Sequence, residues 1–175
     1  MVKVAFVGHS NLPRIPNWDG VQVELFKEGG AGLIDIVEQN SKFRRELFTT
    51  HWQIIVLFLG GNDLNSCRNV DEVYARFMRA YQALHFDWLV VTEIEPRVYN
   101  RQLAARFRIN TERYETLRKV VNKRVKRHAK RTRNINFIHI PPKYMLGSVD
   151  GIHLSTEGAA YLVQKYKGVI NDYLR

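Results

Sequence analysis

One cysteine, Cys67, stands in the 175 residues, which excludes an internal disulfide and any cysteine-rich zinc site. Long apolar runs are missing too. Stretches such as Ile54 to Leu59 and Trp88 to Val91 are strand-sized and fall far short of the roughly 20 residues that a bilayer span needs. The N-terminus has neither a basic leader nor a long apolar core ending in small residues, and an intracellular, cytoplasmic protein is the expectation. No glycine-lysine-serine or -threonine ending follows the glycines at 29 to 32, so a phosphate-cradling Walker loop lacks support. His51, His85, His128 and His139 share no metal-ligand spacing with nearby acids. Neither a metal site nor a cofactor is predicted.

Acidic residues are scarce in one place. Residues 97 to 133 hold 14 of the 27 Lys+Arg but only Glu112 and Glu115 as acids, a local balance of +12 against −2 for the remainder. The whole positive excess of the chain, formally +10, comes from this segment, where it concentrates any field that attracts an anion.

What is present is the material of a core. With 45% hydrophobic and 11% aromatic residues, the chain can bury enough apolar surface to fold, and its length fits one domain, residues 1–175. Strand-like runs recur at KVAFV, VQVELF, IIVLFL, WLVVTEI and NINFIHI. Between them lie helical patterns: residues 32 to 48 through Leu33, Ile36, Val37 and Phe43 or Leu47, residues 70 to 84 through Val73, Phe77, Ala80 and Leu84, and about 109 to 128. A fourth helix spans about 155 to 174, with Ser155 or Thr156 as N-cap and Glu157 favourable in its first turn. Apolar strands alternating with helices predict a three-layer α/β/α domain around a five-stranded parallel sheet, because parallel neighbours need crossover connections and bury both faces. Ligands of such sheets sit in the loops beyond the carboxyl ends of the strands. GHSNL, GGND and the segment after VELF all fall there.

These loops carry chemistry. Ser10 follows a strand ending at Val7 and Gly8, and a serine hydroxyl becomes a nucleophile when a base removes its proton. His153 can be that base, and Asp150, three residues earlier, can accept from the imidazole and orient it. Donors for a tetrahedral oxyanion are the Ser10 N–H, an N–H from Gly29, Gly30 or Gly32, and the Asn62 amide.

In order and approximate spacing, GHSNL, EGGAGLIDI, GGND and DGIHLS resemble the serine, glycine, asparagine and aspartate-histidine blocks of the SGNH hydrolases, the GDSL-type esterases and lipases. The resemblance spans nearly the whole chain. It implies a flavodoxin-like fold, Ser10 as nucleophile and first oxyanion donor, Gly30 and Asn62 as the other donors, Asp150 as orienting acid and His153 as base. Gly32 is the alternative register for the glycine donor. His9 is a departure, since the family usually has aspartate between the glycine and the serine. Glycine-histidine-serine also occurs at the nucleophile elbow of α/β-hydrolases, but that pattern wants glycine two residues after the serine, where this chain has Leu12. TEIEPR, the Arg-rich helix and the closing DGIHLS–EG pattern look like the SGNH domains of first-open-reading-frame proteins of LINE-type retrotransposons. They are also similar to the OSK domain of Oskar, an SGNH-like fold that binds RNA without a working triad.

Plainer readings stand beside these. Ser10 alone could cap a helix, Asn62 could simply end a strand and Asp63 is read as structural. Arg118, Lys119, Lys123, Arg124, Lys126 and Arg127 could be the solvated face of a helix whose Leu117, Val120, Val121 and Val125 pack inward. The same six cations could instead contact a nucleic-acid backbone or anionic lipid, with Tyr99, Phe107 and Tyr114 available to stack on bases. The expected activity is hydrolysis of short acyl or acetyl carboxylic esters through an acyl-enzyme. The competing reading is a non-catalytic module that binds RNA through residues 97–133.

Overall fold

A computed structural model describes the chain except for residues 98–100, 107–108 and 145–150 and the side chains of Arg101, Leu103 and Lys143. Five strands, β1 (Val2–Gly8), β2 (Val21–Lys27), β3 (Trp52–Phe58), β4 (Phe86–Thr92) and β5 (Ile135–Ile138), form one sheet in the order β2-β1-β3-β4-β5. Every neighbouring pair is parallel. The helices are α1 (Leu33–Val37), α2 (Glu46–Thr49), α3 (Gly61–Ser66), α4 (Val70–Ala83), α5 (Arg101–Arg106), α6 (Thr111–Arg131) and α7 (Thr156–Tyr173), with a single 3-10 turn at Pro142–Tyr144.

The central strands read as uninterrupted apolar runs because both of their faces are covered. Val4 and Phe6 of β1 align in register with Ile54 and Val56 of β3, and together they pack under Leu162, Tyr166 and Ile170 of α7. The alternate residues Ala5, Val7, Ile55 and Leu57 face the other way. They meet α1, α4 and α6 through Leu33, Ile36, Val73, Phe77 and Val121. The three layers predicted from the sequence are therefore present.

Two local expectations need correction. The helix expected over residues 32 to 48 is two short helices separated by an irregular stretch, and Gln39 there has φ +47°. Side chains break it: the Asn40 amide donates to Asp35 Oδ1 at 2.5 Å, and the Lys42 N–H donates to Asn40 Oδ1 at 3.0 Å. Asn and Asp compete in this way with helical backbone bonds. The apolar residues that suggested one helix, Leu33, Ile36, Phe43 and Leu47, are all buried regardless. The second correction is Val120, which is 39% exposed while Leu117, Val121 and Val125 pack inward. The buried stripe of α6 steps through Tyr114, Leu117, Val121 and Val125, and position 120 falls outside it.

Candidate active site

The loops leaving β1, β2, β3 and β4 share the carboxyl edge of the sheet. The first carries Ser10. A close approach fixes its start: a Cβ on Gly8 would lie 2.9 Å from Leu12 Cβ and 3.1 Å from Phe58 O. The chain then turns tightly, with the Leu12 N–H donating to His9 O at 3.0 Å. His9 and Asn11 point inward and are almost fully buried, while Ser10 between them is exposed.

The last loop brings His153 to that serine. Its Nε2 lies 3.0 Å from Ser10 Oγ, although the residues are 143 positions apart. With the ring neutral and the proton on Nδ1, the hydroxyl donates to Nε2, the arrangement that a general base requires. Past His153, Ser155 caps α7 by accepting from the Gly158 N–H at 3.0 Å and donating to Tyr144 O at 2.8 Å. The backbone before α7 is thereby pinned. Asp150 lies outside the described residues, as do Tyr99 and Phe107.

Gly30 occupies an exposed turn in which the Ala31 N–H donates to Glu28 O at 3.2 Å. Its φ of +71° is a conformation that glycine adopts without strain. Gly32 is different. Its N–H donates to Asp35 Oδ2 at 2.7 Å, and a Cβ there would lie 2.8 Å from Asp63 Oδ2. That N–H serves α1, whose N-cap is Gly32.

Asn62 lies in the first turn of α3, entered through Gly60 at φ +118°. A guanidinium N–H of Arg97 donates to Asn62 Oδ1 at 3.2 Å, and Asn62 Nδ2 donates to Ala31 O at 2.8 Å. Since arginine only donates, the amide is held with its oxygen toward Arg97 and its nitrogen toward the glycine turn. The neighbouring Asp63 is structural, as expected. It accepts from the Leu33 N–H at 2.7 Å and from Arg76 at 3.1 Å.

Sequence reasoning missed a buried polar cluster beneath these loops. Glu95 is wholly buried, and its Oε1 accepts from Asn11 Nδ2 at 3.1 Å and from Arg97 Nε and Nη2 at 3.0 and 2.8 Å. His9 Nδ1 accepts from the Asn11 N–H at 3.2 Å, which leaves the Nε2–H facing Glu95 Oε1 at 3.6 Å. Burial pushes the Glu95 carboxyl up, but its interactions with His9 and the Arg97 guanidinium outweigh that and hold the group far below the usual carboxylate range. The unusual His9 thus meets a carboxylate supplied by the segment that follows β4. The only trace in the sequence was TEIEPR, where charged residues directly continue an apolar strand.

The six cations singled out on α6 divide. Arg118 turns inward to Glu115 at 3.0 Å and Glu93 at 3.6 Å, and Arg124 pairs with Asp71. Lys119, Lys123, Lys126 and Arg127 are exposed. Tyr114 is buried, its hydroxyl donating to Glu95 O at 2.9 Å. Cys67 is buried, and burial pushes its thiol up to about 11. Among the described residues no group of three His, Cys, Asp or Glu side chains is placed to hold a metal ion, and no helix is long and apolar enough to cross a membrane.

A five-stranded parallel sheet with a serine hydroxyl and an imidazole in contact beyond its carboxyl edge defines an α/β protein of the hydrolase type. The chain belongs to the GDSL-like lipase/acylhydrolase family, whose model matches residues 10–165, and its class of reaction is the hydrolysis of carboxylic esters. Solved structures share the fold. A member of the lipolytic G-D-S-L family from Veillonella parvula is 14% identical with a TM-score of 0.70, covering 98% of this chain and 99% of its own. A GDSL-like lipase from Bacteroides thetaiotaomicron is 15% identical, TM-score 0.67, over 98% and 88%. A carbohydrate acetylesterase family member from Sinorhizobium meliloti is 12% identical, TM-score 0.67, over 97% of each chain. No curated protein matches the chain in sequence.

Proposed function

We propose that residues 1–175 form one catalytic unit that cleaves short acyl esters through an acyl-enzyme on Ser10. The observation that carries this reading is the 3.0 Å contact between Ser10 Oγ and His153 Nε2, made by an exposed hydroxyl at the edge where substrate can reach it. Ser10 Oγ attacks the acyl carbonyl while its proton passes to His153 Nε2. The carbonyl oxygen becomes an oxyanion that accepts from the Ser10 N–H, the Gly30 N–H and Asn62 Nδ2. As the intermediate collapses, the C–O bond to the alcohol breaks and His153 returns the proton to the departing oxygen. Water then attacks the acyl-serine, giving its proton to His153, and the acid leaves as the proton returns to Ser10. Asp150 takes the orienting role by its place in the family motif.

Gly30 is preferred over Gly32 as the glycine donor because the Gly32 N–H is committed to Asp35. Two structural neighbours from Sinorhizobium meliloti are a carbohydrate acetylesterase and a carbohydrate acetylesterase family member, which agrees with a short acyl group. Wild-type protein should hydrolyse an activated acetyl ester with a burst of alcohol equal to the enzyme concentration. Ser10→Ala and His153→Ala should each lose about 10³-fold or more in kcat while keeping the wild-type unfolding transition. Folded wild type without turnover would reject the reading.

A second reading, polyanion binding by α6, draws on Lys119, Lys123 and Lys126, which line one concave surface together. It predicts affinity for single-stranded RNA that weakens with salt and is lost in a Lys119→Glu, Lys123→Glu, Lys126→Glu variant. Salt-insensitive or absent binding would remove it.

A further inference from the structure

Three loops must hold one register if hydroxyl, imidazole and amide are to meet one acyl group, and a single buried acceptor, Glu95 Oε1, is linked to all three through Asn11 and Arg97. Asn11 directly follows Ser10, and its side chain brackets the histidine. Its Nδ2 donates to Ile152 O at 2.9 Å, and its Oδ1 accepts from the Leu154 N–H at 3.0 Å. The residues on either side of His153 are thus tied to the residue after Ser10. The same Nδ2 reaches Glu95 Oε1, which also receives Arg97, and Arg97 in turn fixes the Asn62 amide. Arg97 further packs against Gly61, where any Cβ would collide with its guanidinium.

We infer that Asn11, Glu95 and Arg97 form a positioning frame that locks the serine, histidine and asparagine loops into one geometry, with Glu95 Oε1 as the shared acceptor. The inference rests on the catalytic reading of Ser10, His153 and Asn62, and none of the three frame residues touches the reacting atoms in it. A buried carboxylate paired with a guanidinium recovers little beyond its own desolvation. What the cluster does supply is direction: Asn11 ties the serine loop to the histidine loop, Glu95 and Arg97 tie that pair to the segment after β4, and Arg97 ties the segment to Asn62. Displacement of a reacting group by about 1 Å costs about 100-fold in rate, so the frame acts on kcat and leaves substrate binding nearly unchanged.

The test compares wild type with Asn11→Ala, Arg97→Lys and, as a control for stability, Tyr166→Phe. The control removes a buried hydrogen bond between Tyr166 and Thr92, 2.8 Å long, that touches none of the three loops. Three quantities are read at fixed pH: kcat and KM for an activated acetyl ester, the labelling rate of Ser10 by a fluorophosphonate, and the ring ¹⁵N shifts of His153. The frame predicts that Asn11→Ala lowers kcat and labelling by about tenfold or more with little change in KM, and moves the His153 ring signals. Arg97→Lys keeps a cation beside Glu95 but cannot reach Glu95 and Asn62 together. It should lower kcat about tenfold while the His153 signals stay in place. Tyr166→Phe should leave all three unchanged while lowering the unfolding midpoint.

Wild-type His153 signals in Asn11→Ala would overturn the frame, as would losses that track unfolding midpoint in all three variants. Should the wild type itself fail to turn over ester or take label, the catalytic reading falls. The His153 signals would still decide whether Asn11 holds that ring. If Asn11→Ala does not fold, Arg97→Lys decides by its kcat, and wild-type kcat there counts against the frame.

Discussion

At the scale of single residues, the Asn62 amide has its oxygen held by Arg97 and one N–H on Ala31 O, and in the catalytic reading proposed above its remaining N–H donates to the oxyanion. Asn62→Ala should cut kcat by about 10²–10³-fold with little change in KM. A variant that raises KM and leaves kcat alone would assign Asn62 to substrate binding instead. Ser10 and His153 could be picked out from their strings because one follows a strand and the other precedes a helix, and they stand at hydrogen-bond distance. The register of the glycine turn could not be read, because nothing in the string shows that the Gly32 N–H is taken by Asp35. Glu95 was invisible for another reason: a carboxylate after an apolar run usually marks a strand end, and only the arrival of Asn11 and Arg97 gives it a role.

At the scale of elements, periodicity located strands and long helices but not the short connectors that aim the site. The Val70–Ala83 and Thr156–Tyr173 helices follow their apolar spacing closely. The break near Gln39 and the six-residue helix Gly61–Ser66 do not, because side-chain bonds and close approaches decide them locally. The α3 start illustrates this. Gly60 sits at φ +118°, and a Cβ there would fall 2.7 Å from Ile94 Cδ1, so both backbone strain and overlap oppose any larger residue. Gly60→Ala should therefore lower stability by about 1–3 kcal/mol, measured as the shift of the urea midpoint. It should also reduce kcat, since α3 carries Asn62. An unchanged midpoint would show that the turn can relax without the glycine.

At the scale of the whole molecule, the sheet buries both faces and leaves its carboxyl edge to the polar loops, so the ionised groups under that edge couple the site to overall stability. Glu95 is held well below its ordinary 4.5 after burial is outweighed by His9 and Arg97. A carboxyl lowered in the folded state contributes stability that is complete above its unfolded pKa and drains away as pH falls toward the folded value. Asp63 runs the other way, burial raising it above 3.8, so total stability mixes both signs and a comparison of variants is needed. The difference in unfolding free energy between wild type and Glu95→Gln should shrink as pH falls from about 6 to about 3. A constant difference would mean that the Glu95 charge does not contribute. The central claim, that this fold delivers an activated serine to an ester, is tested most directly by the site of covalent capture. After exposure to a fluorophosphonate, mass spectrometry of the digested protein should find one adduct, on the peptide containing Ser10, and none in His153→Ala at the same exposure. An unmodified Ser10 in folded wild-type protein, or an adduct on another serine, would contradict the account.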